Sequence, residues 1–243
     1  MIYHLTYANS EMTKSAMLAQ KSSLKYGCNF SVFMNEKSIS AEFYNLNKSI
    51  LNANRGAGYW LWKPYVINKM LNRINENDYL VYTDAGVEFV NDINILINKM
   101  DQDVFLFGNN YPHVEWCKSD VMGALLANWE YEIKKDKRQV QASVLIIKNT
   151  CGARLFIAEW LKYCQIDHFI DDSHSYKINY TYFAEHRHDQ AILTCLAYKY
   201  GIILHWWPAQ YNDGQFIYDK HSQFNEDNYP VIFHHHRKRN NEW

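Results

Sequence analysis

The stretch Tyr79-Leu80-Val81-Tyr82-Thr83-Asp84-Ala85-Gly86 decides the fold, because residues that favour β-strands end in a carboxylate and a small-residue turn. The pattern predicts that Asp84 lies just beyond the end of a buried strand. In open α/β sheets, ligands bind in the crevice outside the carboxyl ends of the strands. Asp84 is therefore placed to meet a metal ion, a phosphate or a sugar, although short polar residues at such positions also cap turns.

Strand-like and helix-like patterns alternate along the rest of the chain. Strands are predicted at residues 2–8, 29–34, 79–83, 104–107, 142–147, 202–206 and 231–233. Helices are predicted at residues 10–26, 40–51, 63–74, 92–100, 121–133, 151–163 and 189–200, and residues 166–185 are typical of an active-site loop. This alternation predicts one α/β domain over residues 1–243, with a mostly parallel central sheet flanked by helices.

Composition narrows the class of protein. The chain has 243 residues and a formal net charge of −1, which gives no general attraction to nucleic acid. Its five cysteines form no C-x-x-C pair, which argues against a disulfide framework or a cysteine-rich zinc site and fits a reducing compartment. Neither a signal peptide nor a transmembrane stretch is recognisable, so we expect a cytoplasmic protein. The basic segment Arg237–Arg239 leaves open peripheral contact with the inner face of a membrane, with a solvated tail as the alternative.

Two segments carry polar groups that suit a donor site. Asp189 and Gln190 open a predicted helix, where Asp189 either caps the helix or, with Gln190, hydrogen-bonds sugar hydroxyls. A zinc site using His186 and His188 is less favoured, because the two residues are too close together for the usual helical spacing. Lys63 begins another helix beside a glycine-rich loop, and it either assists phosphate binding or is a solvated surface residue.

Three consecutive histidines, His234, His235 and His236, follow a short apolar strand. Alternation along a strand would point His234 and His236 one way and His235 the other. One of them is a candidate metal ligand, and a half-buried set of polar histidines is the alternative. Four tryptophans either stack on a ligand or belong to the core: Trp60, Trp62, Trp206 and Trp207.

Taken together, these segments resemble a GT-A glycosyltransferase, and they are most similar to the retaining nucleotide-sugar transferases of glycosyltransferase family 8 and to related bacterial and viral enzymes. Thr6–Ser10 resembles the family's nucleoside-binding first strand, and Tyr82–Gly86 resembles its D-x-D metal motif. The resemblance continues in residues 141–147 (the N-A-G-V-L-L-I strand), 188–190 (the D-Q segment) and 234–243 (the closing H-x-G-x-x-K-P-W segment). Gly86 stands where the motif has its second Asp, and Gln141 and Ser143 replace Asn and Gly.

The resemblance implies transfer of a hexose from a UDP-sugar to a glycan or lipid-linked acceptor, assisted by Mn²⁺ or Mg²⁺. It implies Asp189 and Gln190 as catalytic residues and Asp84, His234 and His236 as candidate metal ligands. The implied donor-binding residues are Thr6, Tyr7, Ala8, Asn9, Lys63, Asp84, Gln141, His188 and Lys238. A nucleotide-sugar hydrolase and a non-catalytic carbohydrate-binding protein remain the alternatives.

Overall fold

The strands of the computed structural model form two sheets, and the structure describes residues 1–126, 137–211, 216–217, 224 and 226–243. The strands are β1 (Ile2–Tyr7), β2 (Phe30–Met34), β3 (Tyr79–Asp84), β4 (Val87–Phe89), β5 (Val104–Pro112), β6 (Arg138–Lys148), β7 (Leu204–Trp206), β8 (Ala209–Tyr211), β9 (Phe216–Ile217) and β10 (Phe233–His235). The central sheet has the order β2-β1-β3-β6-β5-β7. Strand β6 runs antiparallel to β3 and β5, whereas the other neighbours in this sheet are parallel.

The mixed α/β architecture with a mostly parallel central sheet is therefore confirmed. A second sheet, with the order β4-β10-β8-β9, was not predicted. Only its strand β10 had a sequence signal, at residues 231–233, and the structure begins that strand at Phe233. The turn at Ala85-Gly86 joins β3 of the central sheet to β4 of the second sheet, so Asp84 lies where the chain crosses between them.

Helices cover both faces of the central sheet. They are α1 (Thr13–Lys25), α2 (Ala41–Leu46), α3 (Lys48–Leu51), α4 (Gly56–Tyr59), α5 (Trp62–Leu71), α6 (Asn94–Ile97), α7 (Ser119–Leu125), α8 (Cys151–Cys164), α9 (Asp167–Ile170) and α10 (His188–Lys199). The helix predicted at residues 40–51 is divided at Asn47, and the one predicted at 92–100 is a single turn. Of the helix predicted at 121–133, residues 127–133 lie outside the described residues.

The core lies on both faces of the sheet because successive strand residues point in opposite directions. In β3, Leu80 and Tyr82 pack into one apolar cluster and Val81 packs into the other, and all three side chains are fully buried. Helices α5, α8 and α10 cover the first face. The second sheet covers the other face, with Phe233 among its fully buried residues.

Candidate active site

A cleft of about 650 Å³ opens where β1 and β3 end and helix α10 begins. This is the edge of the sheet at which α/β folds bind ligands. The cleft is lined by Tyr7, Ala8, Asn9, Glu11, Met12, Asn54, Arg55, Gly56, Ala57, Trp60, Trp62, Lys63, Asp84, Ala85, Gly86, Gln141, Ser143, Arg187, His188, Asp189, Gln190, His235, Arg237 and Arg239. Nine of the sequence-predicted site residues are therefore brought together, namely Tyr7, Ala8, Asn9, Lys63, Asp84, Gln141, His188, Asp189 and Gln190.

Lys63 lies on the floor of this cleft and links three elements. Its Nζ is 3.2 Å from Oδ1 of Asp84 and 3.3 Å from Oδ2 of Asp189. The ammonium also donates a hydrogen bond of 3.1 Å to the backbone carbonyl of Ala142. The two carboxylates pair with the ammonium through charge, and Oδ2 of Asp189 is buried without a hydrogen bond of its own. Lys63 is only 3% exposed, so the alternative of a solvated surface lysine is wrong.

The pKa values of Lys63 and Asp189 depend on each other. Burial works to lower the pKa of Lys63, but the charges of Asp189 and Asp84 outweigh that effect and raise it. Burial raises the pKa of the Asp189 carboxyl to about 6, against the opposing influence of Lys63. At neutral pH the ionised Asp189 carboxylate therefore lies beside the Lys63 ammonium.

Asp189 does not cap its helix. The N-cap position of α10 is Arg187, and Asp189 lies in the first turn with its carboxylate directed at Lys63. The neighbouring Gln190 is fixed by its amide, since Nε2 donates a 2.6 Å hydrogen bond to Oε1 of Gln139. Its Oε1 accepts a longer hydrogen bond, 3.4 Å, from the backbone N–H of Ala142. Gln190 is thus held against β6 at the border of the cleft, and Asp189 is held by Lys63.

Aromatic rings form one wall near the end of β1. The rings of Tyr7 and Trp62 stack with centroids 4.0 Å apart, and both residues border the cleft. Asn9 follows and caps a short 3₁₀ turn by accepting a hydrogen bond from the N–H of Glu11. Thr6, by contrast, is fully buried within β1 and does not border the cleft.

The segment from Gly56 to Trp60 has left-handed backbone throughout, with φ between +50° and +98°. Left-handed conformations are costly for residues with a Cβ, and such strain accumulates at functional sites. The segment is closely supported, because a Cβ at Gly58 would lie 2.7 Å from Cα of Leu51. Its Tyr59 and Trp60 rings stack on His188, which also has a positive φ. The glycine-rich loop is therefore a fixed turn in the wall of the cleft.

Ion pairs hold the predicted loop at residues 166–185 against this turn. The guanidinium of Arg55 is 3.0 Å from Asp172 and 2.7 Å from Glu185. His186 and His188 bond backbone carbonyls of Phe169 and Ile170 at the same end of the loop. The two histidines thus support the rim of the cleft.

The C-terminal segment reaches the cleft through Gly86. A Cβ at Gly86 would lie only 2.8 Å from Cα of Arg237, and the N–H of Arg237 donates a 3.2 Å hydrogen bond to the Gly86 carbonyl. This approach brings His235, Arg237 and Arg239 to the cleft. It also means that the side chain of a second Asp, as in D-x-D, has no space at position 86.

Three other sequence-predicted site residues, His234, His236 and Lys238, are not among the described residues that line the cleft. The ring of His234 lies 3.6 Å from Glu88 on the adjoining strand β4. The backbone N–H of Lys238 donates to Nδ1 of His236, and its ammonium lies 5.3 Å from the centre of the Trp243 ring. Alternation along the strand correctly separated His235 from His234. The family resemblance pointed to His234, His236 and Lys238. The residues that line the cleft are their neighbours His235, Arg237 and Arg239.

We tested whether the residues around Asp84 fit the divalent ion that the family resemblance implies. Such an ion needs oxygen ligands with free lone pairs. Oδ1 of Asp84 already accepts a 2.7 Å hydrogen bond from the Tyr82 hydroxyl and pairs with Lys63. Nε2 of His235 accepts from Arg237 Nε at 3.3 Å, which brings a fixed cation to the same place. Gly86 supplies no second carboxylate, so Asp84, already paired with the Lys63 ammonium, is the one acidic residue of Tyr82–Gly86 and a poor match for Mn²⁺ or Mg²⁺.

A second cluster of possible metal ligands lies outside the cleft. Nε2 of His113 is 3.3 Å from Sγ of Cys195, and the sulfurs of Cys117 and Cys195 are 3.9 Å apart. All three residues are buried, and their ligand atoms lie within 4.8 Å of one another. The sequence analysis missed this cluster because its two cysteines are 78 residues apart and no short motif joins them.

Tryptophans divide between the cleft and the core. Trp60 and Trp62 border the cleft, whereas Trp207 is 1% exposed and packs in the core beneath the second sheet.

None of the helices in the described part of the chain combines the length and the hydropathy needed to traverse a bilayer.

The fold and this cleft define a protein of the GT-A glycosyltransferase fold. Mouse xyloside xylosyltransferase 1 in its apo form aligns over 100% of this chain and 99% of its own, with a TM-score of 0.53 and 11% identity. The galactosyltransferase LgtC, solved in complex with donor and acceptor sugar analogues, aligns over 97% of this chain and 87% of its own (TM-score 0.53, 16% identity).

The bifunctional glycosyltransferase WbbM also matches, over 86% of this chain and 40% of its own, with a TM-score of 0.52 and 12% identity. No protein-family model matches the sequence, and a comparison with curated protein sequences finds no match. At these identities the similarity establishes the fold.

Proposed function

We propose that the protein is a glycosyltransferase that moves a sugar from a nucleotide-sugar donor to an acceptor hydroxyl. The observation that carries the proposal is the Asp84–Lys63–Asp189 cluster on the floor of a cleft at the carboxyl edge of a GT-A sheet. Perturbed buried charges in the main cleft of an α/β fold are typical of functional sites. The sugar donor lies along the cleft from Tyr7 towards Gln190 in this proposal.

The finer proposal is a hexose transferred from a UDP-sugar to a glycan or a lipid-linked acceptor. The base of the nucleotide stacks near the Tyr7 and Trp62 rings, next to Ala8 and Asn9. Arg55 and the strained turn enclose the middle of the donor. Cytoplasmic location and contact with a membrane surface stay predictions.

In the reaction, the acceptor oxygen attacks the anomeric carbon of the donor sugar. The bond from that carbon to the phosphate oxygen breaks, and its electron pair leaves with the nucleoside diphosphate. If the reaction inverts the anomeric centre, Asp189 accepts the acceptor proton as a general base, which its raised pKa suits. If the reaction retains the configuration, Gln190 lies beside the anomeric carbon and the leaving diphosphate takes the proton.

A panel of UDP-hexoses incubated with simple glycan acceptors tests this proposal, with UDP release and glycosylated product measured together. Asp189→Asn and Gln190→Ala should each lower product formation by about 100-fold or more, the scale of a lost catalytic group, with UDP affinity changed little. UDP release that equals sugar release, with no glycosylated product, would instead identify a nucleotide-sugar hydrolase. Binding of sugars without binding of UDP would identify a carbohydrate-binding protein.

A further inference from the structure

The charge arrangement of the cleft leads to an inference about how the donor diphosphate is bound, and it rests on the proposed function. A nucleotide-sugar diphosphate is an anion, and it gains one more negative charge when the sugar leaves. An enzyme must neutralise that developing charge with a metal ion or with fixed cations.

Lys63 occupies the position between the carboxylates. Its ammonium is surrounded by Asp84, Asp189 and the Ala142 carbonyl at 3.1 to 3.3 Å, and the two carboxylates would repel a phosphate that approached it. A second cation placed on Asp84 would be repelled by this buried ammonium. Lys63 thus neutralises Asp84 and Asp189, as a bound metal ion would, and it holds both carboxylates in place. It is a positioning residue.

Four of the described arginines border the cleft, and two of them, Arg55 and Arg187, are already paired with carboxylates at 2.7 to 3.0 Å. Arg237 and Arg239 are exposed and more available to a ligand. Arg237 uses Nε to contact His235, and among the described residues Arg239 pairs with Glu11 at the longer distance of 3.4 Å. Guanidinium groups present planar, paired donors that suit phosphate oxygens, and they stay charged at every relevant pH.

Gly86 accounts both for the missing second carboxylate and for the approach of Arg237 to the cleft. Because it has no side chain, the backbone of Arg237 can approach to the distance of a hydrogen bond with the Gly86 carbonyl. The same residue that removes the second carboxylate of a D-x-D motif therefore brings an arginine to the cleft. Glycine in place of aspartate at position 86 therefore removes a metal ligand and makes room for the backbone of Arg237.

We infer that Arg237 and Arg239 bind the diphosphate of the donor and stabilise it as a leaving group, and that this enzyme requires no divalent metal ion. Arg237 lies at the crossing between the two sheets, beside Gly86 and His235. Arg239 lies towards Glu11 at the β1 end of the cleft. The arrangement spans the region between the proposed base pocket and the proposed sugar site.

Calorimetric titration of the intact protein with UDP tests the inference, in buffer with EDTA and in buffer with Mn²⁺. The affinity for UDP should agree within about two-fold in the two buffers, since no ion takes part. Arg237→Ala and Arg239→Ala should each weaken UDP binding by about ten-fold or more, the scale of a lost charge-assisted contact. UMP, which lacks the second phosphate, should be affected less by both substitutions.

Arg73→Ala is the matched control, because this exposed arginine lies just beyond the C-terminal end of α5, does not line the cleft, and its loss changes the net charge equally. It should leave UDP affinity unchanged. Binding of UDP only in the presence of Mn²⁺ would overturn the inference and leave the glycosyltransferase proposal standing. Failure to bind UDP in either buffer would overturn both.

Discussion

At the scale of single residues, Lys63 has the largest expected effect on stability. Removing a partner from a buried ion pair leaves an uncompensated charge, which typically costs about 3–5 kcal/mol. Lys63→Met should therefore lower the free energy of unfolding by about that amount, because Asp189 is nearly as buried as Lys63. Urea unfolding at pH 7.5 measures the change.

A double-mutant cycle separates charge from packing at the same position. Lys63→Met combined with Asp189→Asn should recover a substantial part of the lost stability, because the second substitution removes the more buried of the two carboxylates left unpaired. Equal destabilisation by the single and double variants would show that the aliphatic stem of Lys63, rather than its charge, matters to the fold.

Asp189 gives a pH prediction for the proposed transfer reaction. Its pKa is raised to about 6, and the ionised carboxylate is the form that pairs with Lys63 and accepts a proton. If the reaction inverts the anomeric centre, with Asp189 as the general base, the value of kcat/KM should be constant above pH 7 and fall about ten-fold per pH unit below 6. Asp189→Asn should lose this acidic limb together with most of its activity. An unchanged limb in that variant would assign it to another group.

At the scale of elements, the left-handed turn over residues 56–60 should be sensitive to any added Cβ. Gly58→Ala forces a methyl group to 2.7 Å from Leu51 Cα at a φ of +98°, so we expect a loss of about 2 kcal/mol or more in stability. Gly201→Ala is the control, since that glycine also has a positive φ but has open space around it. The control should cost about 1 kcal/mol or less. Thermal unfolding of both variants makes the comparison.

The sequence predicted those elements whose signal is local. Strand β3 and helices α5, α8 and α10 follow from β-propensity or from apolar spacing within each segment. Strands of the second sheet are two to three residues long, too short for a periodic pattern, and their pairing joins residues from distant parts of the chain. Tertiary pairing, which no local pattern encodes, decides that these residues form strands.

The same distinction applies to the candidate site. Asp84 and Asp189 could be found because each directly adjoins a recognisable element. The role of Lys63 could not be foreseen, because its burial depends on contacts with β3, β6 and α10 together. The position of Arg237 at the cleft depends on its close approach to Gly86, which lies 151 positions earlier in the chain, so no local pattern could predict it.

At the scale of the whole molecule, buried neutral histidines should make the fold sensitive to acid. Burial lowers the pKa of His4 to about 3, and its ring nitrogens bond Ser31 and Thr83 between neighbouring strands. Burial lowers the pKa of His186 and, with the charge of Arg237, that of His235 as well.

These histidines bind protons in the unfolded chain near pH 6.5 but not in the native protein, so stability falls as the pH decreases from about 6.5 towards 3. His4 and His235, whose pKa values are lowered to about 3, each contribute about 1.4 kcal/mol per pH unit within that window, and His186 adds to the slope in the same direction. Urea unfolding at pH 7.5, 6.0 and 5.0 measures the slope. His4→Asn should make it shallower by about 1.4 kcal/mol per pH unit, whereas His174→Asn, which alters an exposed ring, should leave it unchanged. Equal slopes in the two variants would mean that protonation of His4 does not drive acid unfolding.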